Sequence, residues 1–241
     1  MTALALVRHG QSQWNLENLF TGWVDVPLTP KGEDEARKAG QLLARCGHDF
    51  DQAYTSLQTR AIRTLWLALA EMDEAWLPVA KDYRLNERHY GALTGLNKAE
   101  TAKKHGEEQV HIWRRSYDIP PPPMEWDNPL NPCLNRRYAD VSREALPVAE
   151  SLKMTLDRVL PYWENTIEPK LLGGCNTLIS AHGNSLRALV KLLFKVPAAE
   201  IVNVEIPTGN PLLITLAPGS LDIQSAYYLD ESRARALPPA L

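Results

Sequence analysis

Three short apolar or mixed runs in this chain break off on polar, chemically capable residues, and each is followed by a stretch with helical spacing. Leu4–Val7 ends on Arg8-His9-Gly10, Gln52–Thr55 ends on Ser56 with Arg60 just beyond, and Asn176–Ala181 ends on His182-Gly183-Asn184. A strand–helix–strand rhythm of this kind builds a mostly parallel sheet, because right-handed crossovers return each strand in the same direction. All strand ends then lie on one edge, where open α/β sheets bind their ligands. His9 and His182 are expected on one rim although more than half the chain separates them.

The helices between these strands can be read from caps and periodicity. Thr29 is a capping residue and Pro30 takes the first helical position, where its missing N–H is harmless. Ala36, Ala39, Gly40 and Leu43 then fall on one face, and Gly47 closes the segment. Ala61, Leu65, Ala68, Leu69 and Met72 form a second such face, which puts Arg60 in the first turn of its helix. An arginine there opposes the helix dipole, and a bound anion would compensate. Leu77–Lys81 reads as a weak third strand. Leu152, Leu156, Val159, Leu160 and Trp163 mark a later helix with a kink expected at Pro161, and Leu186, Leu189, Val190 and Leu193 mark another. Leu212–Leu216 and Gln224–Tyr228 read as a closing hairpin around Pro218-Gly219.

Between about residues 82 and 149 the rhythm lapses. Two short helices, Lys98–His105 and Glu107–Arg115, precede the run Pro120–Pro123, which must be extended. The insertion has too little apolar periodicity for a domain and is expected to cap the loaded sheet edge. The fold class is therefore α/β: a three-layer sandwich with a mostly parallel central sheet flanked by helices, one domain over 1–241, with the cap-like insertion over the strand ends. A mobile tail is expected from about 230 to 241.

The totals limit the function. At 241 residues with net charge −3, the chain lacks the basic surplus of a nucleic-acid binder, so any anion site must be local. Three scattered cysteines, Cys46, Cys133 and Cys175, fit reduced thiols better than a disulfide framework or a structural zinc site. No apolar run is long enough for a bilayer and no leader is evident, so the expectation is a cytoplasmic protein.

Two histidines and two arginines on one rim could serve a metal, but no His-Glu-x-x-His or similar spacing is present and arginines repel a divalent cation. Arginines match phosphate with bidentate charge-assisted bonds. A histidine nucleophile among such cations suits metal-free phosphoryl transfer, which also requires a proton donor. The candidate is Glu87 in Arg84–Gly91. Burial would raise its pKa and the neighbouring cations would lower it, and the residues alone leave the balance open.

Several blocks carry a resemblance: Leu6–Trp23, Thr55–Thr64, Leu85–Thr101 (LNERHYGALTGLNKAET), Ile112–Asp118 with the prolines, Arg136–Asp140, and Ala181–Arg187. The chain resembles the histidine phosphatase superfamily, and more narrowly its cofactor-dependent phosphoglycerate mutases. The resemblance implies that His9 carries the phosphoryl group and Glu87 exchanges the proton. Arg8, Arg60 and His182 would hold the transferring group, with Asn15, Gly183 and Asn184 completing the cradle and Ser12, Thr21 and Gly22 lining the pocket. Arg88, Tyr90, Lys98, Arg114 and Arg115 would grip the carboxylate and second phosphate. Gly10, Gln11, Gln13, Trp14 and His89 belong to the same substrate-binding stretches.

The implied activity is interconversion of 3-phosphoglycerate and 2-phosphoglycerate in glycolysis and gluconeogenesis, primed by 2,3-bisphosphoglycerate, without a metal, by a homodimer or homotetramer. The runner-up is a phosphatase of the same superfamily, with bisphosphoglycerate synthase activity between the two. A non-catalytic phosphoanion-binding protein is disfavoured because His9, Glu87 and His182 are all present. Departures from the family pattern are Gln11 and Gln13 where glutamates are common, a shortened Pro129–Asn135 segment, and a short tail without a lysine-rich end. The tail helps to close the site in this family, so its shortness implies weaker shielding of the phosphohistidine and more phosphatase side activity.

Overall fold

The computed structural model describes residues 1–239. A six-stranded sheet runs through the centre in the order β3-β2-β4-β1-β5-β6. Its parallel part comprises β1 (Thr2–Arg8), β2 (Gln52–Thr55), β3 (Val79–Lys81) and β4 (Thr177–Ala181), with β1 and β2 each paired to β4. The hairpin β5 (Leu212–Leu216) and β6 (Ile223–Tyr228) adds an antiparallel edge beside β1. The register Arg8↔Ala181 and Thr55↔Ser180 brings the ends of β1, β2 and β4 level, so their following residues share one edge.

Strand alternation divides the core into two layers. Leu4, Leu6 and Ile179 face one side, where they pack with α6 (Leu152–Tyr162), α7 (Glu168–Leu172) and α8 (Gly183–Leu193). Ala3, Ala5, Val7 and Leu178 face the other, against α2 (Pro30–Leu43) and α3 (Thr59–Glu71). Thr29 caps α2 by accepting from the Gly32 N–H at 3.1 Å, with Pro30 as its first residue. The helix ends at Leu43, before the turn containing Gly47. The glycine of Arg8-His9-Gly10 serves this packing: a Cβ at Gly10 would lie 2.0 Å from the Gly32 carbonyl oxygen.

α1 (Gln13–Leu16), α4 (Lys98–His105) and α5 (Glu107–Arg115) stand over the loaded edge. Small apolar clusters anchor this cap: Phe20, Leu93 and Val110 form one, and Trp23, Tyr138 and Leu146 another. At Pro161 the helix is not broken. It passes into a five-residue π-helical stretch, Trp163–Ile167, and then α7. No helix among the described residues is long and apolar enough to cross a membrane.

The segment after Asp230, expected to be mobile, is tied to the body as far as Arg233. Asp230 accepts from Lys38 at 2.6 Å and from Arg233 at 2.8 Å, and Arg233 donates to the carbonyls of Thr208 and Gly209. Ala240 and Leu241, which that expectation also covered, lie outside the described residues.

Candidate active site

A cavity of about 530 Å³ opens on the strand-end edge. Of the residues expected from the sequence, Arg8, His9, Asn15, Thr21, Arg60, Glu87, Tyr90, Lys98, Arg114, Arg115, Gly183 and Asn184 line it. Eight arginine or lysine side chains and three glutamates contribute to its wall, on a chain whose net charge is −3. The local surplus can focus anions that the whole molecule would repel.

His9 sits on the floor, 2% exposed. Its backbone N–H donates to the Ala181 carbonyl at 3.0 Å, which holds the end of β1 against β4. Its Nδ1 lies 2.7 Å from the Gly10 carbonyl. A carbonyl only accepts, so Nδ1 carries the proton and Nε2 keeps its lone pair. Burial, followed by the charges of Arg60 and Arg8, holds the His9 pKa well below the usual value. The ring is therefore neutral, with its lone pair on Nε2.

His182 lies behind it, with ring centroids 5.0 Å apart at 61°. Its Nε2 is 2.7 Å from the Ser56 hydroxyl, and its buried Nδ1 has no protein partner. Burial, then Arg60 and His9, push its pKa down as well. Arg60 spends Nη1 and Nη2 on the Val24 and Gly22 carbonyls, both at 2.9 Å, and leaves Nε unpaired. Burial lowers its pKa to about 10, against the opposing pull of Glu87 and Asp25, which leaves it a cation at neutral pH. Arg8 donates to the Ile206 carbonyl at 2.8 Å, and its Nε is also unpaired.

Glu87, 8% exposed, accepts at Oε1 from the N–H groups of Arg88 at 2.8 Å and Asn184 at 3.0 Å. Its own N–H donates to the Gln58 side chain at 2.8 Å. Gly183 leaves room beside it: a Cβ there would stand 3.4 Å from the Arg8 guanidinium carbon and 3.7 Å from Glu87 Oε2. On the outer wall, burial lowers the Lys98 pKa, with Tyr90 opposing it. Burial of Tyr90 would raise its pKa, but Arg88, stacked 4.7 Å from the ring, brings it below normal.

Nine expected residues lie outside the lining. Apart from His182, they serve as framework. Gly10 packs on Gly32, and the Gln11 N–H donates to Glu35 at 2.8 Å. Ser12 caps α1, whereas Gln13 is exposed and pairs with Glu17. Trp14 packs beside Gly95, and Gly22 supplies its carbonyl to Arg60 and Gln58. His89 turns toward Trp23, and its Nδ1 accepts from the Gly91 N–H. Arg88 is fully buried under α5, bonded to the Arg114 carbonyl with Nε and Nη1 unspent. These residues belong to the same stretches as the lining residues, but the contacts just given hold them outside the cavity lining.

Sequence reasoning missed Arg187, the 205–208 loop, Glu35 and the tail residues Ser232, Arg233 and Arg235, all of which line the cavity. Arg187 had a signal, because it follows Asn184 at helical i,i+3 spacing and donates to its Oδ1 at 3.0 Å. The others are brought in by chain return alone. Arg115 is 2.8 Å from Glu205, and Arg235 stands 3.7 Å from the same carboxylate. Among the described residues no group of three or more His, Cys, Asp or Glu side chains is placed to hold a metal ion.

Two histidines, two arginines each with an unpaired Nε, and one carboxyl group thus converge at the edge of the parallel sheet. The chain belongs to the histidine phosphatase superfamily (branch 1), whose family model matches residues 4–130. It is 62% identical over 99% of both chains to a 2,3-bisphosphoglycerate-dependent phosphoglycerate mutase from Hyphomonas neptunium (strain ATCC 15444). A protein of the same name from Maricaulis maris (strain MCS10) is 58% identical over 99% of this chain and 98% of its own. Among solved structures, the fold is similar to mycobacterial hydrolase 1, with a TM-score of 0.70 and 22% identity over 98% of this chain and 100% of that one.

Proposed function

We propose that this chain interconverts 3-phosphoglycerate and 2-phosphoglycerate as a cytoplasmic enzyme of glycolysis and gluconeogenesis, through a phosphohistidine at His9. One observation carries this reading: buried, unspent donors on Arg8, Arg60, Arg187 and His182 stand around His9 and Glu87 at a cation-lined cavity. A buried donor without a partner is costly, and an anion with two phosphates would satisfy several at once. The residues therefore fit 2,3-bisphosphoglycerate, which supplies the phosphoryl group that loads His9.

His9 Nε2 is the attacking atom, held in the correct tautomer by Gly10. Arg8, Arg60 and His182 neutralise charge on the phosphoryl oxygens as the bond to nitrogen forms. Glu87 gives its proton to the leaving oxygen and recovers one on the return step. Lys98, Arg114 and Arg115 hold the carboxylate and the other phosphate, so that the intermediate can turn without leaving. Full-length identity of 58% and 62% to proteins named as mutases supports this reading above a simple phosphatase. We further propose a single catalytic domain that works without a metal and assembles as a homo-oligomer.

The test is an incubation of the protein with excess 3-phosphoglycerate and a trace of 2,3-bisphosphoglycerate in the presence of a chelator. The expected product is 2-phosphoglycerate. Inorganic phosphate as the main product would establish the phosphatase reading instead.

A further inference from the structure

Glu87 is carried on a segment without regular structure: one 3-10 turn, Tyr83–Leu85, leads into an irregular run through Tyr90. Such a backbone keeps a carboxylate in place only if something outside it takes up its polar groups. One side chain of α6 does this. Arg158 donates from Nη1 to the carbonyls of Arg84 at 2.7 Å, Tyr83 at 3.2 Å and Asn86 at 3.3 Å. Its Nη2 reaches the carbonyls of Asn86 at 3.3 Å and Glu87 at 3.2 Å.

The guanidinium is itself held by Glu150 in a bidentate pair, Nε to Oε1 at 2.6 Å and Nη2 to Oε2 at 2.9 Å. Glu150 then grips the far side of the segment, where its Oε2 accepts the His89 N–H and its own N–H donates to the His89 carbonyl, both at 2.8 Å. The pair thus brackets Glu87 from before and after. Its side chains are only 8% and 3% exposed, and a buried ion pair is a poor way to gain stability alone. Four converging carbonyls, however, require a planar fork of donors that no apolar residue provides.

We infer that Arg158, oriented by Glu150, is the positioning residue for Glu87, fixing the backbone from which the carboxyl group meets the Asn184 and Arg88 N–H groups. Neither member of the pair lines the cavity, so the effect passes through Glu87. The inference rests on the proposed role of Glu87 as proton donor.

Arg158→Lys keeps the charge and removes the fork. It should lower kcat by about tenfold to a hundredfold, the scale expected when a catalytic group is misplaced by an ångström or less. KM for 3-phosphoglycerate and the Kd for orthovanadate, a probe of the phosphoryl cradle, should stay within about twofold, because the cradle and grip residues are untouched. In a double-variant cycle, Arg158→Lys on a Glu87→Gln background should cost nothing further, as residues acting through one group are not additive. Losses that multiply, vanadate affinity that falls in step with kcat, or an unchanged kcat in folded Arg158→Lys would overturn the inference. Wild-type kcat in Glu87→Gln would instead remove the proposed role of Glu87. If Arg158→Lys does not fold, Glu150→Gln replaces it in the cycle, with a loss of about threefold or more and the same non-additivity expected. Full activity of that folded variant overturns the inference equally.

Discussion

The floor and the outer wall of the cavity are built on opposite principles. The floor, His9, His182 and Arg60, comes from two strand ends and the first turn of α3, and none of these side chains is more than 2% exposed. Its donors are either spent on carbonyls or left unpaired for a ligand. The wall, Lys98, Arg114, Arg115 and Arg235, comes from the cap and the tail, is partly or largely exposed, and pairs in part with Glu205. Burial fixes the floor in one charge state and one tautomer, which chemistry requires. Solvent at the wall leaves its cations screened and adjustable, which binding and release require. Changes to the floor should therefore act on kcat, and changes to the wall on KM.

His9→Ala gives the largest expected effect. Loss of the proposed nucleophile should lower kcat by about 10⁴-fold or more, and acid-labile label from labelled bisphosphoglycerate should no longer appear on the chain. Label retained by this variant would move the nucleophile off the floor and end the comparison.

Acid should then separate the regions through stability. His9 and His182 are held well below the ordinary histidine pKa, chiefly by burial and next by Arg60. His89 is brought down to about 3 by burial and then Arg158. The unfolded chain takes up these protons at about pH 6.5 while the folded chain does not. Stability is thus complete above pH 6.5 and is lost as pH falls below it. Each of the three histidines steepens the fall of stability with pH below that point. Urea midpoints between pH 7 and 5 should show a steep decline. A flat profile would mean that the floor is hydrated and resembles the wall.

How far these regions could be read in the sequence differs in the same way. β2 at Gln52–Thr55, the Thr29 cap with Pro30, and α4 and α5 at Lys98–His105 and Glu107–Arg115 stand where spacing and caps placed them, because local rules decide them. The floor was legible because strand ends carry it, and the β1–β4 register aligns His9 with His182. The packing of Gly10 on Gly32, the inward burial of Arg88 and the turn of His89 toward Trp23 depend on tertiary contacts with no local signature. The same holds for the return of Glu205 and Arg235 to the wall, and the Arg158 clamp is another case, since residues about 70 apart in sequence meet only through the fold. The stretches that the resemblance names contribute residues to the cavity, yet only side-chain direction tells which members of a stretch face it.

Smaller effects belong to the wall. Arg115→Gln should raise KM for 3-phosphoglycerate by about tenfold, the worth of one charge-assisted bond, and leave kcat within about threefold. An equal fall in kcat would place Arg115 with the chemistry. The smallest change tests whether the wall is tuned rather than merely cationic. The Glu205 carboxylate holds Arg115 at 2.8 Å with about half its side-chain surface exposed, so it competes with any anion for that guanidinium. An exposed pair is worth about 0.2–1 kcal/mol, so Glu205→Gln should lower KM by only about two- to threefold at low salt. The gain should fade as ionic strength rises and the Debye length shrinks below about 8 Å. A KM that rises instead would mean that Glu205 holds Arg115 in its binding pose, and the wall would then share the preorganisation of the floor.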